Sequence, residues 1–377
     1  MMKVYFDNAA TTAIDNRVIE SMNNVMKNNY ANPSSIHEGG RKSKTIIENA
    51  RKKIASILNT SPGSIFFTSG GTEADNMAIR CGILDNKITH AITSKISHHA
   101  VLYPLQDLEI KGNIKLSYVK LNEFGGIDIN HLEDILKNNP KSFVSIMHAN
   151  NEVGTIQPIK EIGELCKKYN AIFHSDTVQT MGHFKFDMKE LNIDFLVASA
   201  HKFHGPKGIG FIYINENISI KPLILGGSQE RNMRAGTENI YSIVGLVEAL
   251  EISHKEMEAD VIHVKKIKKY FIDLLEKNFD DIKYNGESNN MDSSLFKILS
   301  VSFPKNPISE MLLFQLDIMG ISCSGGSACS SGSDQGSHVI SGINPSNDRP
   351  VVRFSFSKYN TKEEIDYTIE KLIEIFN

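Results

Sequence analysis

Two short stretches of this sequence place an acid and an amine where a flat heteroaromatic ring could lie between them. From Ile172 the chain reads I-F-H-S-D-T-V-Q-T-M-G, and after a connecting segment F-L-V-A-S-A-H-K-F-H-G-P-K, ending at Lys207. One apolar run ends at Asp176; another, Phe195 to Ala198, ends in Ser199-Ala200-His201-Lys202. In an open α/β sheet, residues at the carboxyl ends of strands face the ligand crevice. Pyridoxal phosphate needs such a pair: a lysine to form a Schiff base, and an aspartate to keep the pyridine nitrogen protonated so that the ring can accept electrons. The same residues also read as a turn-capping aspartate and a solvated lysine, so the pair alone leaves both readings open.

Other stretches add chemistry of the same kind. Ile65 to Ser69 runs into Gly70-Gly71-Thr72-Glu73 and a helical pattern, so a strand, a glycine turn and a helix start present free N–H groups and a hydroxyl to an anion. The spacing is not that of a P-loop, and a plain capped turn is the competing reading. His98, in S-H-H-A-V after the run His90–Thr93, could stack on a ring and move protons near neutral pH, or simply pack. Asn151, in H-A-N-N-E-V-G, and Gln179, three residues past Asp176, could hydrogen-bond a ring oxygen or close turns.

Ser322 to Ser337 reads S-C-S-G-G-S-A-C-S-S-G-S-D-Q-G-S, with almost nothing apolar to bury. Cysteine usually hides in cores, so Cys329 on such a loop reads as a nucleophilic thiol. Cys323, Cys81 and Cys166 read as packing residues. Val351 to Ser357 alternates, with Val352, Phe354 and Phe356 on one face and Arg353 on the other. A guanidinium fixed on a strand suits capture of a substrate carboxylate; a rim salt bridge is the alternative.

The elements that must position these groups follow from the apolar pattern. Short runs at Ile65–Phe67, His90–Thr93, Lys115–Val119, Phe143–Met147, Ala171–His174, Phe195–Ala198 and Gly210–Ile214 alternate with helical stripes such as Arg41–Leu58. That alternation predicts an α/β fold with a mostly parallel seven-stranded sheet and helices on both faces. After Ile214 the character changes. Tyr241–Met257 and Val261–Phe279 read as two long amphipathic helices, followed by strands near Lys297–Phe303 and Val351–Phe356. A closing helix is capped by Thr361 and Glu364. A smaller α+β domain is therefore expected: residues 14–259 form the large domain, and residues 1–13 with 260–377 form the small one carrying the cysteine loop at about 322–337.

Composition narrows the function classes. Of 377 residues, 41% are hydrophobic and 23% charged, with a formal net charge of -3, which argues against nucleic acid or an anionic membrane as the main partner. No apolar run approaches the roughly 18 residues that cross a bilayer, and the first residues lack a signal-peptide core, so the cytoplasm is expected. Four scattered cysteines without a C-x-x-C pair suit neither a disulfide framework nor a structural zinc site.

Taken together, Y-F-D-N-A-A-T-T, A-N-P-S-S-I-H, F-T-S-G-G-T-E-A-D-N, H-A-N-N-E-V-G-T, H-S-D-T-V-Q, S-A-H-K-F-H-G-P-K-G-I-G, R-A-G-T-E-N, G-S-A-C-S-S-G and R-F-S-F resemble the cysteine desulfurases. These belong to the aspartate-aminotransferase-like, fold-type-I class of pyridoxal-phosphate enzymes and to the class-V aminotransferase family. The resemblance implies pyridoxal 5′-phosphate bound through Lys202, with Asp176 on the ring nitrogen and His98 stacked as acid or base. It places Asn151 and Gln179 near the ring hydroxyl, and Gly71, Thr72, Ser199 and His201 on the phosphate. Thr237 would reach the site from the other subunit of a homodimer, while Asn32 and Arg353 would clamp the substrate carboxylate. Cys329 would be the nucleophile that takes sulfur from L-cysteine as a persulfide, leaving L-alanine, for transfer to an acceptor such as an iron–sulfur scaffold. Transient cluster ligation by Cys329 would be the one metal role. A selenocysteine lyase, another lyase of the same class and a non-catalytic sulfur-transfer subunit are the alternatives. The segment from Cys329 to Arg353 departs from the usual version, and the chain ends soon after its last helix, where members that dock a scaffold often carry a longer tail.

Overall fold

The computed structural model describes residues 2–305, 311–325 and 337–376; Cys329 and residues 326–336 around it lie outside them. The chain opens with strand β1 (Val4–Tyr5) and helices α1 (Asn16–Asn28) and α2 (Glu38–Ile57). Strand β2 (Ile65–Thr68) leads into α3 (Gly71–Asn76), which continues through a π turn at Met77–Cys81 into α4 (Gly82–Asp85). There follow β3 (His90–Thr93), α5 (His99–Ile110), β4 (Lys115–Tyr118), α6 (Ile129–Asn138), β5 (Phe143–Ser145), α7 (Ile159–Lys168), β6 (Ile172–Asp176), β7 (Phe195–Ser199) and β8 (Gly210–Ile214).

All seven expected strands form one sheet in the order β2-β8-β7-β6-β5-β3-β4. Its pairings are parallel except at β8, which runs against both β2 and β7. Strands buried on both faces need apolar residues at every position, and the period of two sorts them. Phe195 and Val197 join a core with α3 and α5, whereas Leu196 and Ala198 join one with α1, α2, α7 and α8. Each large side chain so enclosed contributes about 1.5–3 kcal/mol. The reversed strand starts hard against the turn after β2: a Cβ on Gly210 would lie 2.4 Å from the Ala198 carbonyl oxygen and 2.9 Å from Gly70 Cα. Only glycine fits there.

The remainder comprises α8 (Ile240–Asn278), β9 (Lys283–Tyr284), β10 (Ile298–Ser302), α9 (Leu312–Ile318), β11 (Ile321–Ser322), α10 (His338–Ile343), β12 (Val351–Ser355) and α11 (Lys362–Phe376). A three-stranded antiparallel sheet, β12-β10-β9, carries a second core together with Val4 and Phe6, the later half of α8, α9 and α11. The expected cap on the last helix is present in both directions. The Glu364 carboxylate accepts the Thr361 N–H at 2.9 Å, and the Thr361 hydroxyl accepts the Glu364 N–H at 3.4 Å.

The expected break between two long helices is absent: α8 is one helix of 39 residues. Its first part, to Ile252, packs on the large-sheet core, and Val264 to Leu275 pack on the second core. The apolar stripe lapses where the helix crosses between cores. No glycine or proline interrupts residues 257–261, so the backbone carries on.

Candidate active site

The carboxyl ends of β2, β3, β5, β6 and β7 open on one cavity of about 190 Å³. Asp176 is the last residue of β6, and β7 pairs beside it with Asp176 opposite Val197. Lys202 closes the short turn that follows β7. Its Nζ donates to the carbonyls of Ala9 and Ala10, each at 2.7 Å. The N-terminal segment therefore holds the amine.

Asp176 is buried and accepts the Val178 N–H at 2.9 Å. Burial pushes its carboxyl above the ordinary range, while that N–H and the nearby Lys202 pull the other way. His98 caps α5, its Nδ1 accepting the Ala100 N–H at 3.1 Å. That bond puts the proton of the neutral ring on Nε2. Burial first, then Lys202 and His338, push His98 down to about 4, so it is uncharged at neutral pH.

Gly71 and Thr72 begin α3, and Ser199 and His201 flank the end of β7; all four line the cavity. The first N–H groups of a helix have no partner within it. A Cβ on Gly71 would meet Val178 Cγ2 at 2.8 Å, so glycine keeps this end open. The His201 ring bonds the Thr11 hydroxyl at 3.1 Å, and burial with Lys202 pushes it down to about 4. Gln179 donates to the Ala9 carbonyl at 2.9 Å, yet its Oε1 is buried with no partner.

Arg353 is not the rim residue of the alternative reading. It is 1% exposed, donates to the Asn151 carbonyl and to Asp7 Oδ1 at 2.8 Å each, and leaves Nε without a partner. Asn151 thus meets Arg353 through its backbone carbonyl, and the residue lines the cavity. Cys81 and Cys166 are buried and Cys323 is half-buried against the second core, all as free thiols, in keeping with packing roles. Cys329 lies outside the described residues. Asn32 and Thr237 are exposed and do not line this cavity. Asn32 closes its own turn by accepting the Ser34 N–H. Arg234, in the same R-A-G-T run as Thr237, pairs at 2.8 Å with Glu73, just past the glycine turn after β2.

Sequence reasoning missed Asp75. It is 1% exposed and lines the cavity, with Oδ1 3.2 Å from His174 Nε2 but not aligned for a hydrogen bond. Burial and the adjacent Asp176 push its carboxyl well up. Its signal was its place four residues past Gly71, on the same helix face. Asp7, the Arg353 partner, was likewise given no role of its own. Among the described residues, no cluster of three His, Cys, Asp or Glu could hold a metal ion, and no helix is long and apolar enough to cross a membrane.

A profile of the class-V aminotransferase family matches residues 4–368. The chain belongs to the class-V aminotransferase family. Among its relatives, a cysteine desulfurase IscS of Dictyoglomus turgidum is 43% identical over 99% of this chain and 94% of its own length. A solved NifS-like protein superposes with a TM-score of 0.90, at 38% identity over 100% of this chain and 99% of that one. A second structure, described as SspA in complex with cysteine, gives 0.82 at 31% identity over 96% of this chain and 100% of that one. The class-V aminotransferases work with pyridoxal 5′-phosphate, and the residues present fit it. A buried carboxylate faces an amine across the cavity, the Gln179 oxygen is orphaned, and the glycine cradle at Gly71 sits beside hydroxyl and N–H donors.

Proposed function

We propose that the protein is a cysteine desulfurase, which takes sulfur from L-cysteine and releases L-alanine. The observation that carries this reading is the convergence of Lys202, Asp176, His98 and Arg353 on one cavity, in a chain that resembles cysteine desulfurases over nearly its whole length. Lys202 would hold the cofactor, Asp176 would sit on its ring nitrogen, and His98 on its face. Gln179 and Asn151 would meet the ring hydroxyl, and Gly71, Thr72, Ser199 and His201 the phosphate. Bound pyridoxal phosphate supplies an electron sink for the substrate's α-carbon.

This chain's own residues do the rest. The Arg353 guanidinium, already held by Asp7 and the Asn151 carbonyl, offers its remaining N–H to the substrate carboxylate. The Lys202 amine, steadied by two carbonyls, moves the proton at the substrate's α-carbon. Neutral His98 holds a proton on Nε2, facing away from its Ala100 bond. The Cys329 thiolate forms a bond to the substrate sulfur as the C–S bond breaks; the electron pair stays with carbon, which takes a proton to give alanine. Sulfur remains on the enzyme as a Cys329 persulfide, and an acceptor such as an iron–sulfur scaffold protein receives it.

Several finer points belong to the same reading. Thr237 reaches a cavity from the second subunit of a homodimer, and Asn32 joins Arg353 on the substrate carboxylate. In support, the residues beside them, Pro33 to Ile36 and Glu238, line a separate surface hollow, and Ile36 is 91% exposed. In support of a division into 14–259 against 1–13 plus 260–377, α8 joins two separate cores. The free thiols suit the cytoplasm. Incubation with L-cysteine followed by peptide mass spectrometry tests the assignment. One added sulfur atom on Cys329 with matching alanine supports it, and alanine formation that survives Cys329→Ser refutes it.

A further inference from the structure

Lys297 lies where a lysine has little to recommend it. It immediately precedes β10, is 2% exposed, and its Nζ is 2.8 Å from His183 Nε2. The charged groups that act on it are both cations, Lys202 after β7 and Arg353 on β12; among the described residues no carboxylate pairs with it. His183, from the turn after β6, lies close enough to the Lys202 backbone for that backbone to favour its protonated form. One donor and one acceptor set the arrangement: the lysine amine donates to Nε2, and the ring's remaining N–H is the group left to face the Lys202 carbonyl.

The other groups facing this pair surround a small cavity of about 20 Å³: Thr12, His204, Asp260 on α8 and Lys358 before α11. They do not supply the missing anion. Asp260 already faces Lys358, 3.9 Å away, and His204 bonds the Ala13 carbonyl at 2.9 Å. A buried ammonium between two cations would be strongly unfavourable, and burial pushes both Lys297 and His183 well below their ordinary values.

We propose that Lys297 and His183 form an uncharged positioning dyad for Lys202, holding its peptide in place and keeping positive charge away from its amine. The role rests on the reading that Lys202 carries the cofactor. Neither residue touches the cavity that receives the ring, so both act through Lys202.

Two measurements test the dyad separately from that reading. In cofactor-free protein, Lys297→Met removes an amine that must shed a proton to be buried. The folded pKa lies below the unfolded value, so the unfolded chain binds the extra proton at pH 7 and the wild type is penalised there. The penalty fades as pH rises towards the unfolded value of about 10.4. Melting of Lys297→Met is therefore expected about 2 °C or more above wild type at pH 7, with the gap closing by pH 10. A gap independent of pH overturns the uncharged state.

In holoenzyme, the visible cofactor band is titrated. Lys297→Arg, which fixes a charge, is expected to lower the midpoint by about one pH unit relative to Lys297→Met. His183→Gln, whose amide can both accept and donate, is expected to keep kcat, while His183→Leu loses about tenfold in kcat with KM unchanged. Equal midpoints for the two Lys297 variants, with His183→Leu as active as wild type, overturn the positioning role. A wild type with no visible band refutes the Lys202 reading instead, and the melting comparison still decides whether Lys297 is uncharged.

Discussion

Arg51 and Arg353 are equally hidden, each 1% exposed, yet they are held differently. Arg51 meets Glu230 with two bonds of 2.9 and 2.8 Å, donates to the Ile65 carbonyl, and turns Nε towards Glu48 at 3.3 Å. Every arm of that guanidinium is used, and Glu230 also accepts the Phe67 N–H at 2.7 Å. Arg353 has one carboxylate oxygen, one carbonyl and an unpartnered Nε at a cavity. A buried cation whose donors are all satisfied ties helix α2 to strand β2. One left short of a partner has a donor to spare at the cavity.

The largest expected effect separates the two by stability. Arg51→Met strands the buried Glu230 and is expected to cost about 3–5 kcal/mol in denaturant unfolding, with the kinetics of the folded fraction unchanged. Arg353→Lys keeps a positive charge beside Asp7 but loses the planar fork. It is expected to raise KM for L-cysteine about tenfold or more with kcat little changed, and to move stability by less than about 1 kcal/mol. Reversed outcomes, a stable Arg51→Met or an unstable Arg353→Lys with normal KM, would erase the distinction.

A smaller test uses pH. His148 is buried, its ring edge-on to Phe184 and Phe186 with Nδ1 3.0 Å from the Thr180 hydroxyl, and burial pushes it down to about 4. The unfolded chain therefore binds a proton that the folded one refuses between about pH 6.5 and 4, so stability falls as pH drops through that window and is level above it. His148→Gln is expected to flatten that fall by about 1 kcal/mol per pH unit. A slope unchanged by the substitution would show that His148 is not the group concerned.

The same contrast explains what could be read in advance. Strands such as Phe195–Ser199 were legible because both faces of the sheet are buried and the chain writes that as an unbroken apolar run. The residues at their ends, Asp176, Lys202 and Gly71, were legible because strand ends face the crevice whatever the details. The continuous α8 was not, since its apolar stripe lapses where it passes between two cores. Asp75, Asp7 and Lys297 were missed for a related reason. Each looks like a solvated charge in its own segment, and only contacts made across the fold give it its place: Asp7 half-buried with Arg353, Lys297 buried with His183, Asp75 buried beside Asp176. The exposed positions of Asn32 and Thr237 in a single chain have no local signature either.

The most direct measurement is to locate the cofactor's attachment. Purified protein loaded with pyridoxal 5′-phosphate, reduced with borohydride and digested, is expected to carry the pyridoxyl group on Lys202 alone. A label on the buried Lys297, or on no lysine of the cavity, would contradict the account.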